Sequence, residues 1–156
     1  MALSIGQTAP EFSLLDETKT MRSLSEFRGK NVVLAFYPGA FTGVCDSEMC
    51  AFQDALANLN NLNAQVIGIS IDTPFAAKVF SERYNFGFPL LSDFNRDVIK
   101  QYDILLHDFA HIPGLDSCQR TVYVLDTEGV IRYVEVTENP GIEPNYPLLM
   151  SAIASL

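Results

Sequence analysis

Two hydrophobic periods alternate along this chain. Residues 31–36, 65–71 and 121–125 are short and almost wholly apolar, which predicts strands covered on both faces. Between them the apolar positions step by three and four. Cys45, Met49, Phe52, Leu56 and Leu59 predict one long helix over 44–62. Asp72-Thr73-Pro74 opens a helix over 75–85, with proline early in its first turn. Ser92 and Asp93 can cap a further helix that carries Val98, Ile99 and Tyr102. A last helix, 147–156, places Leu149, Ala152, Ile153 and Leu156 on one face.

Turn chemistry supplies the shorter elements. Residues 12–15 form a first strand, 16–20 a polar turn, and 21–24 pair back as a hairpin. Residues 25–30 make one helical turn closed by Gly29, and 88–91 a short strand. Residues 107–117, with Pro113 and Gly114, read as a loop. Asp126-Thr127-Glu128-Gly129 folds 130–136 back, antiparallel, on 121–125. Residues 137–146, rich in proline, read as a mobile connector. Strands alternating with helices, then a hairpin and a closing helix, predict an α/β fold: a central mixed β-sheet flanked by helices, in a single domain across 1–156.

With 156 residues and 48% hydrophobic content the chain can bury a sizeable core, and it is not the composition of a disordered segment. A formal charge of −9 disfavours nucleic acid and anionic membranes as partners. The first seven residues lack the basic and apolar regions of a signal peptide, and no apolar run approaches the ~20 residues that span a bilayer. The expected location is cytoplasmic. Three cysteines in such a chain read as reactive or buried thiols.

Residues 36–50 carry the candidate chemistry. Cys45 falls in the first turn of a helix springing from the end of a central strand, where free N–H groups and the helix dipole favour an anion and ease ionisation of a thiol. Thr42 offers a hydroxyl to cap that helix or to touch the sulfur's reaction partner, and Pro38 ends the strand. Each has a plainer reading. A free cysteine is most often a small buried hydrophobe, which also suits Cys50, while Cys118 reads as a bystander, with a resolving or regulatory role as its alternative. Glu48 fits a solvated first-turn acid, and by spacing alone Arg120 is a solvated charge at a strand end. His107 and His111 have a spacing that metals use, but Pro113, Gly114 and the lack of further ligands argue against a metal site. The 11 Phe and 6 Tyr read as core, with Tyr37 and Phe41 nearest the candidate site.

Pro38-x-x-x-Thr42-x-x-Cys45, preceded by Phe36-Tyr37 and followed by Cys50, resembles the active-site loop of peroxiredoxins. The second cysteine is similar to the bacterioferritin-comigratory-protein (peroxiredoxin Q) branch. Ala40-Phe41-Thr42-Gly43 and residues 88–93 look equally like the alkyl hydroperoxide reductase E branch, and the likeness runs from residue 6 to about 142. The resemblance implies a thioredoxin-like fold and an antioxidant thiol peroxidase acting on hydrogen peroxide and alkyl hydroperoxides. It implies Cys45 as peroxidatic thiolate, Thr42, Arg120 and loop N–H groups as peroxide ligands, Pro38 as a shield and Glu48 as the partner that orients Arg120. Cys50 would resolve the oxidised sulfur as an intrachain disulfide, and thioredoxin or a glutaredoxin-like dithiol would recycle it. No metal, haem or flavin cofactor is implied, and relatives of this kind are monomers or homodimers. A one-cysteine enzyme with Cys50 idle and a cysteine-based redox sensor are the rival readings. Cys-x-x-x-x-Cys matches neither the Cys-x-x-Cys of disulfide exchangers nor the Cys-x-x-x-Cys of copper-delivering relatives. On one regular helix Cys45 and Cys50 would have Cα atoms ~8.6 Å apart, beyond the ~7 Å a disulfide spans, so the first two turns would have to unwind for the bond to form.

Overall fold

The computed structural model describes residues 2–156; Met1, the first residue of the stretch read for a signal peptide, lies outside them. Its centre is β3 (Asn31–Phe36), which pairs in parallel with β4 (Ala64–Ser70) and antiparallel with β8 (Thr121–Leu125). β5 (Leu90–Ser92) extends the parallel side, and the hairpin of β1 (Ser13–Asp16) and β2 (Met21–Ser23) closes that edge. β9 (Ile131–Val136) closes the other, giving the order β2-β1-β5-β4-β3-β8-β9. This is the mixed sheet flanked by helices that the alternating pattern predicts, in the thioredoxin-like arrangement that the resemblance implies.

Continuous apolar runs conceal a period of two, because both faces of the sheet are covered. Val32, Leu34 and Phe36 join Ile67, Ile69, Tyr123 and α4 (Asp97–Gln101) in one core. Val33, Ala35 and Tyr37 join Val66, Val122 and Val124 in the other. That second core is roofed by α1 (Val44–Asp54), α2 (Leu56–Asn61), α3 (Pro74–Tyr84) and α5 (Tyr146–Ala154). Thr73 caps α3 by accepting from the Ala76 N–H (3.3 Å), with Pro74 at its first position. Asp93 accepts from the N–H groups of Val98 and Ile99 at the start of α4, as expected, whereas Ser92 Oγ donates to the Asp72 carbonyl and Tyr102 lies one residue past the helix end.

Elsewhere in the fold the structure departs from the sequence reading. The helix over 44–62 is broken at Ala55, where Leu56 closes over Gly87 and Gln53 accepts the Gly87 N–H. The ladder still passes through, from Ala55 N–H to Ala51 and from Leu59 N–H to Ala55, which is why the apolar period reads as unbroken. The loop over 107–117 holds a tight turn with Asp108, Ala110 and His111 at positive φ, and its end pairs with the preceding chain: β6 (Leu105–Leu106) with β7 (Ser117–Cys118). Strands of two residues are too short to show a period. Leu156 lies past the end of α5 and is 46% exposed, so only Leu149 and Ile153 are buried from that face. The connector over 137–146 is anchored: Thr137 N–H donates to the Arg120 carbonyl, and the Arg120 guanidinium to the Pro140 carbonyl.

Candidate active site

The β3–β8 register builds the site. Phe36 faces Thr121, so the loop leaving β3 and the residue entering β8, Arg120, emerge side by side at one end of the sheet. The loop is tied down at three points. Ser117 Oγ donates to the Pro38 carbonyl (2.6 Å), Ala40 N–H donates to Asp72 Oδ2 (2.8 Å), and Thr42 Oγ1 donates to the Gly39 carbonyl (2.6 Å). Thr42 therefore does not cap α1. Gly43 stands at the N-cap with φ 79° and ψ −76°, a conformation that a side chain would strain. With its proton committed to Gly39, the Thr42 hydroxyl faces any incoming O–H as an acceptor.

Cys45 is the second residue of α1, and its side chain is wholly buried. The first-turn N–H groups beside it lack intrahelical acceptors. Arg120, only 2% exposed, donates from Nη2 to Cys45 Sγ (3.1 Å) and from Nη1 to Glu48 Oε1 (2.9 Å). Its Nε and Nη2 also donate to the Pro140 carbonyl, at 3.1 and 2.8 Å. The planar fork is thus locked, with its permanent charge against the sulfur. Arg120 and Glu48 are not the solvated charges that spacing alone suggests. A cleft of 630 Å³ lies over this arrangement, lined in part by Thr42, Val44, Phe109, His111, Arg120 and Pro140.

Glu48 is fully buried, and its Oε2 has no partner among the described residues. Burial pushes its carboxyl up to about 7; Arg120 pulls against this, and Glu143 and Glu135 add to it. The stability consequence has a definite sign. The folded-state value lies above the ordinary 4.5, so the contribution of Glu48 is fully present below pH 4.5 and is lost as pH rises through about 7. The stability difference between wild type and Glu48→Gln, from urea melts, should therefore move steadily in the mutant's favour between pH 4.5 and 7.5. A difference flat in pH would mean that Glu48 is ionised throughout.

All three cysteines are free thiols. Cys50 shares α1 with Cys45 and is half-buried; burial, then Asp46 and Asp54 one turn to either side, pushes its thiol up. Cys118 is fully buried in the opposite core, and burial first, then Cys45, pushes it well up. His107 and His111 both line the cleft, His107 Nδ1 standing 3.0 Å from Asp116 Oδ1. Among the described residues no group of three or more His, Cys, Asp or Glu is placed to hold a metal, and no helix is long and apolar enough to cross a membrane. Ser117, Asp72 and the Pro140 carbonyl, which hold the loop and Arg120, carry no signal in the sequence because their partners lie 20 to 79 residues away.

Residues 5–134 match the model of the AhpC/TSA family. The chain is 35% identical over 157 residues to alkyl hydroperoxide reductase E of Mycobacterium tuberculosis, covering 99% of this chain and 98% of that protein. It is 38% identical over 129 residues to the chloroplastic peroxiredoxin Q of Populus jackii, where 83% of this chain spans only 58% of the relative's length. The crystal structure of peroxidoxin BcpB from Mycobacterium tuberculosis aligns with a TM-score of 0.87 at 29% identity, over 99% of this chain and 98% of that one.

Proposed function

The chain belongs to the AhpC/TSA family, and from that premise we propose that residues 1–156 act as one peroxiredoxin domain, a cytoplasmic thiol peroxidase for hydrogen peroxide and alkyl hydroperoxides. The observation that carries the reading is the guanidinium of Arg120, fixed between Cys45 Sγ and Glu48 beneath the cleft. A permanent cation at 3.1 Å faces the sulfur and offers a donor where charge develops on the leaving oxygen.

The cycle uses thiols alone. The Cys45 thiolate attacks one peroxide oxygen, an S–O bond forms and the O–O bond breaks. The departing alkoxide or hydroxide takes up a proton and leaves as alcohol or water, and Cys45 becomes a sulfenic acid. Arg120 and the first-turn N–H groups of α1 stabilise the oxygen that leaves, Thr42 accepts from the peroxide O–H, and Pro38 keeps bulk water off the sulfur. Cys50 then attacks the sulfenic sulfur, forming a Cys45–Cys50 disulfide and releasing water. Thioredoxin or a glutaredoxin-like dithiol reduces that bond by exchange.

The rival with Cys50 idle draws on the same helix: α1 is intact, so the two cysteines cannot bond without unwinding it. Peptide masses after one equivalent of peroxide separate the readings. A Cys45–Cys50 disulfide is expected in wild type and in Cys118→Ser. Cys50→Ser should stop at the sulfenic acid, with turnover by a dithiol reductant reduced about tenfold or more. Wild-type turnover in Cys50→Ser would establish the one-cysteine cycle instead. A single oxidation without turnover in the wild type itself would make the protein a sensor.

A further inference from the structure

The disulfide step requires the first turns of α1 to open, and two contacts from α3 bracket them. On one side of Cys45, Phe41 leans edge-on against Phe80 at 5.2 Å between ring centroids. On the other, Asp46 Oδ2 accepts a 2.6 Å hydrogen bond from the Tyr84 hydroxyl. Tyr84 is itself packed among neighbouring side chains. It stacks on Phe86 at 5.5 Å, meets Phe80 edge-on at 5.6 Å, and carries the Arg83 guanidinium over its ring at 5.8 Å. Asp46 Oδ1 is buried and has no partner among the described residues, so the Tyr84 hydroxyl is the side-chain partner that holds this carboxylate against α3. The residue after Cys45 is thereby fastened to a rigid aromatic stack outside the helix that has to melt.

We propose that the Tyr84–Asp46 hydrogen bond is a latch on the peroxidatic helix, setting how often Cys45 is released toward Cys50 and hence how an oxidised Cys45 divides between two fates. This rests on the reading that Cys50 resolves. In one fate the sulfenic acid condenses with Cys50, forming S–S and releasing water. In the other a second hydroperoxide transfers an oxygen to the still-buried sulfenic acid, giving a sulfinic acid and an alcohol, or water from hydrogen peroxide. A closed latch favours the second fate and an open one the first. The first oxidation takes place with the helix folded, so the latch does not enter it.

Tyr84→Phe keeps the ring and its stacking and removes only the hydroxyl. In the reduced protein it should raise amide exchange across 44–50 about tenfold, equivalent to about 1.4 kcal/mol, the low end of what a hydrogen bond to a carboxylate contributes. Exchange in β3 and β4 should be unchanged. Stopped-flow oxidation of Cys45 should stay within about twofold of wild type. Disulfide formation should accelerate, and the peroxide concentration that half-converts Cys45 to sulfinic acid should rise, each about tenfold. Asp46→Asn, which keeps a neutral acceptor, should fall between, and adding it to Tyr84→Phe should change little further. Wild-type exchange across 44–50 in Tyr84→Phe would overturn the latch, as would raised exchange with an unaltered division between disulfide and sulfinic acid. Raised exchange with no Cys45–Cys50 disulfide in any variant, wild type included, would uphold the fastening of the helix and overturn the Cys50 reading alone.

Discussion

Cys45→Ser should lower peroxide reduction by roughly 10⁴-fold or more, to the uncatalysed background, because removing the attacking nucleophile leaves only binding groups behind. The variant should fold. Cys45 is fully buried on α1, and an oxygen in place of sulfur is slightly smaller and can accept the hydrogen bond that Arg120 Nη2 now donates to Sγ. What serine cannot supply is a soft sulfur nucleophile, which the proposed attack on the O–O bond needs. Cys118→Ser is the matched control. Its side chain packs in the opposite core, with Leu34, Ile104 and Tyr123, so turnover should remain within a few-fold of wild type. A new hydroxyl there should cost about 1–3 kcal/mol of stability. Peroxide consumption with a dithiol reductant, read beside thermal melts, checks both. Residual activity above a hundredth of wild type in Cys45→Ser would remove Cys45 from its role.

How far this site was legible depends on how far apart its parts lie along the chain. Pro38, Thr42, Cys45 and Cys50 fall within thirteen consecutive residues, and their strand-loop-helix context is written in the run from Asn31 and the apolar steps after Cys45. Arg120 and Glu48 are another matter. Nothing local distinguishes Arg120 from Arg132 or Arg96; the pairing of Phe36 with Thr121 brings it to Cys45 from 75 residues away, and only the family resemblance pointed to it beforehand. The central strands were readable almost to the residue because an all-apolar run has few other places to go in a two-layered core. Thr42 misled as a cap, since a threonine before a helix is the usual cap, but here its hydroxyl turns back to Gly39 and Gly43 takes the position. The contacts from Asp72, Ser117 and Tyr84 that hold the loop and the first turn join distant elements through single polar atoms, which leave no periodic trace.

The second large effect should come from Arg120. Arg120→Ala removes the donor 3.1 Å from Cys45 Sγ and the charge beside it, and on the proposed role of that donor at the reacting oxygens kcat/KM should fall by about 10²–10³-fold, as for loss of an oxyanion-hole donor. Arg120→Lys should recover part of this, because one ammonium cannot span Cys45 Sγ, Glu48 Oε1 and the Pro140 carbonyl as the flat fork does. Stability needs separate treatment, since Arg120 is also the counter-ion of Glu48. Burial already pushes that carboxyl up to about 7 against the pull of Arg120; without the pull it should stay protonated in the folded state, so no bare charge is left inside. The fold should therefore survive Arg120→Ala. Keeping Glu48 protonated costs more at pH 8 than at pH 6, so the variant should be more strongly destabilised at pH 8. Adding Glu48→Gln removes the titrating group and should flatten that pH dependence without restoring activity. Urea melts at the two pH values and steady-state rates on the single and double variants provide the test. If Arg120→Ala with Glu48→Gln regained turnover along with stability, Arg120 would serve only to neutralise a buried acid, and its place beside Cys45 Sγ would have no part in the chemistry.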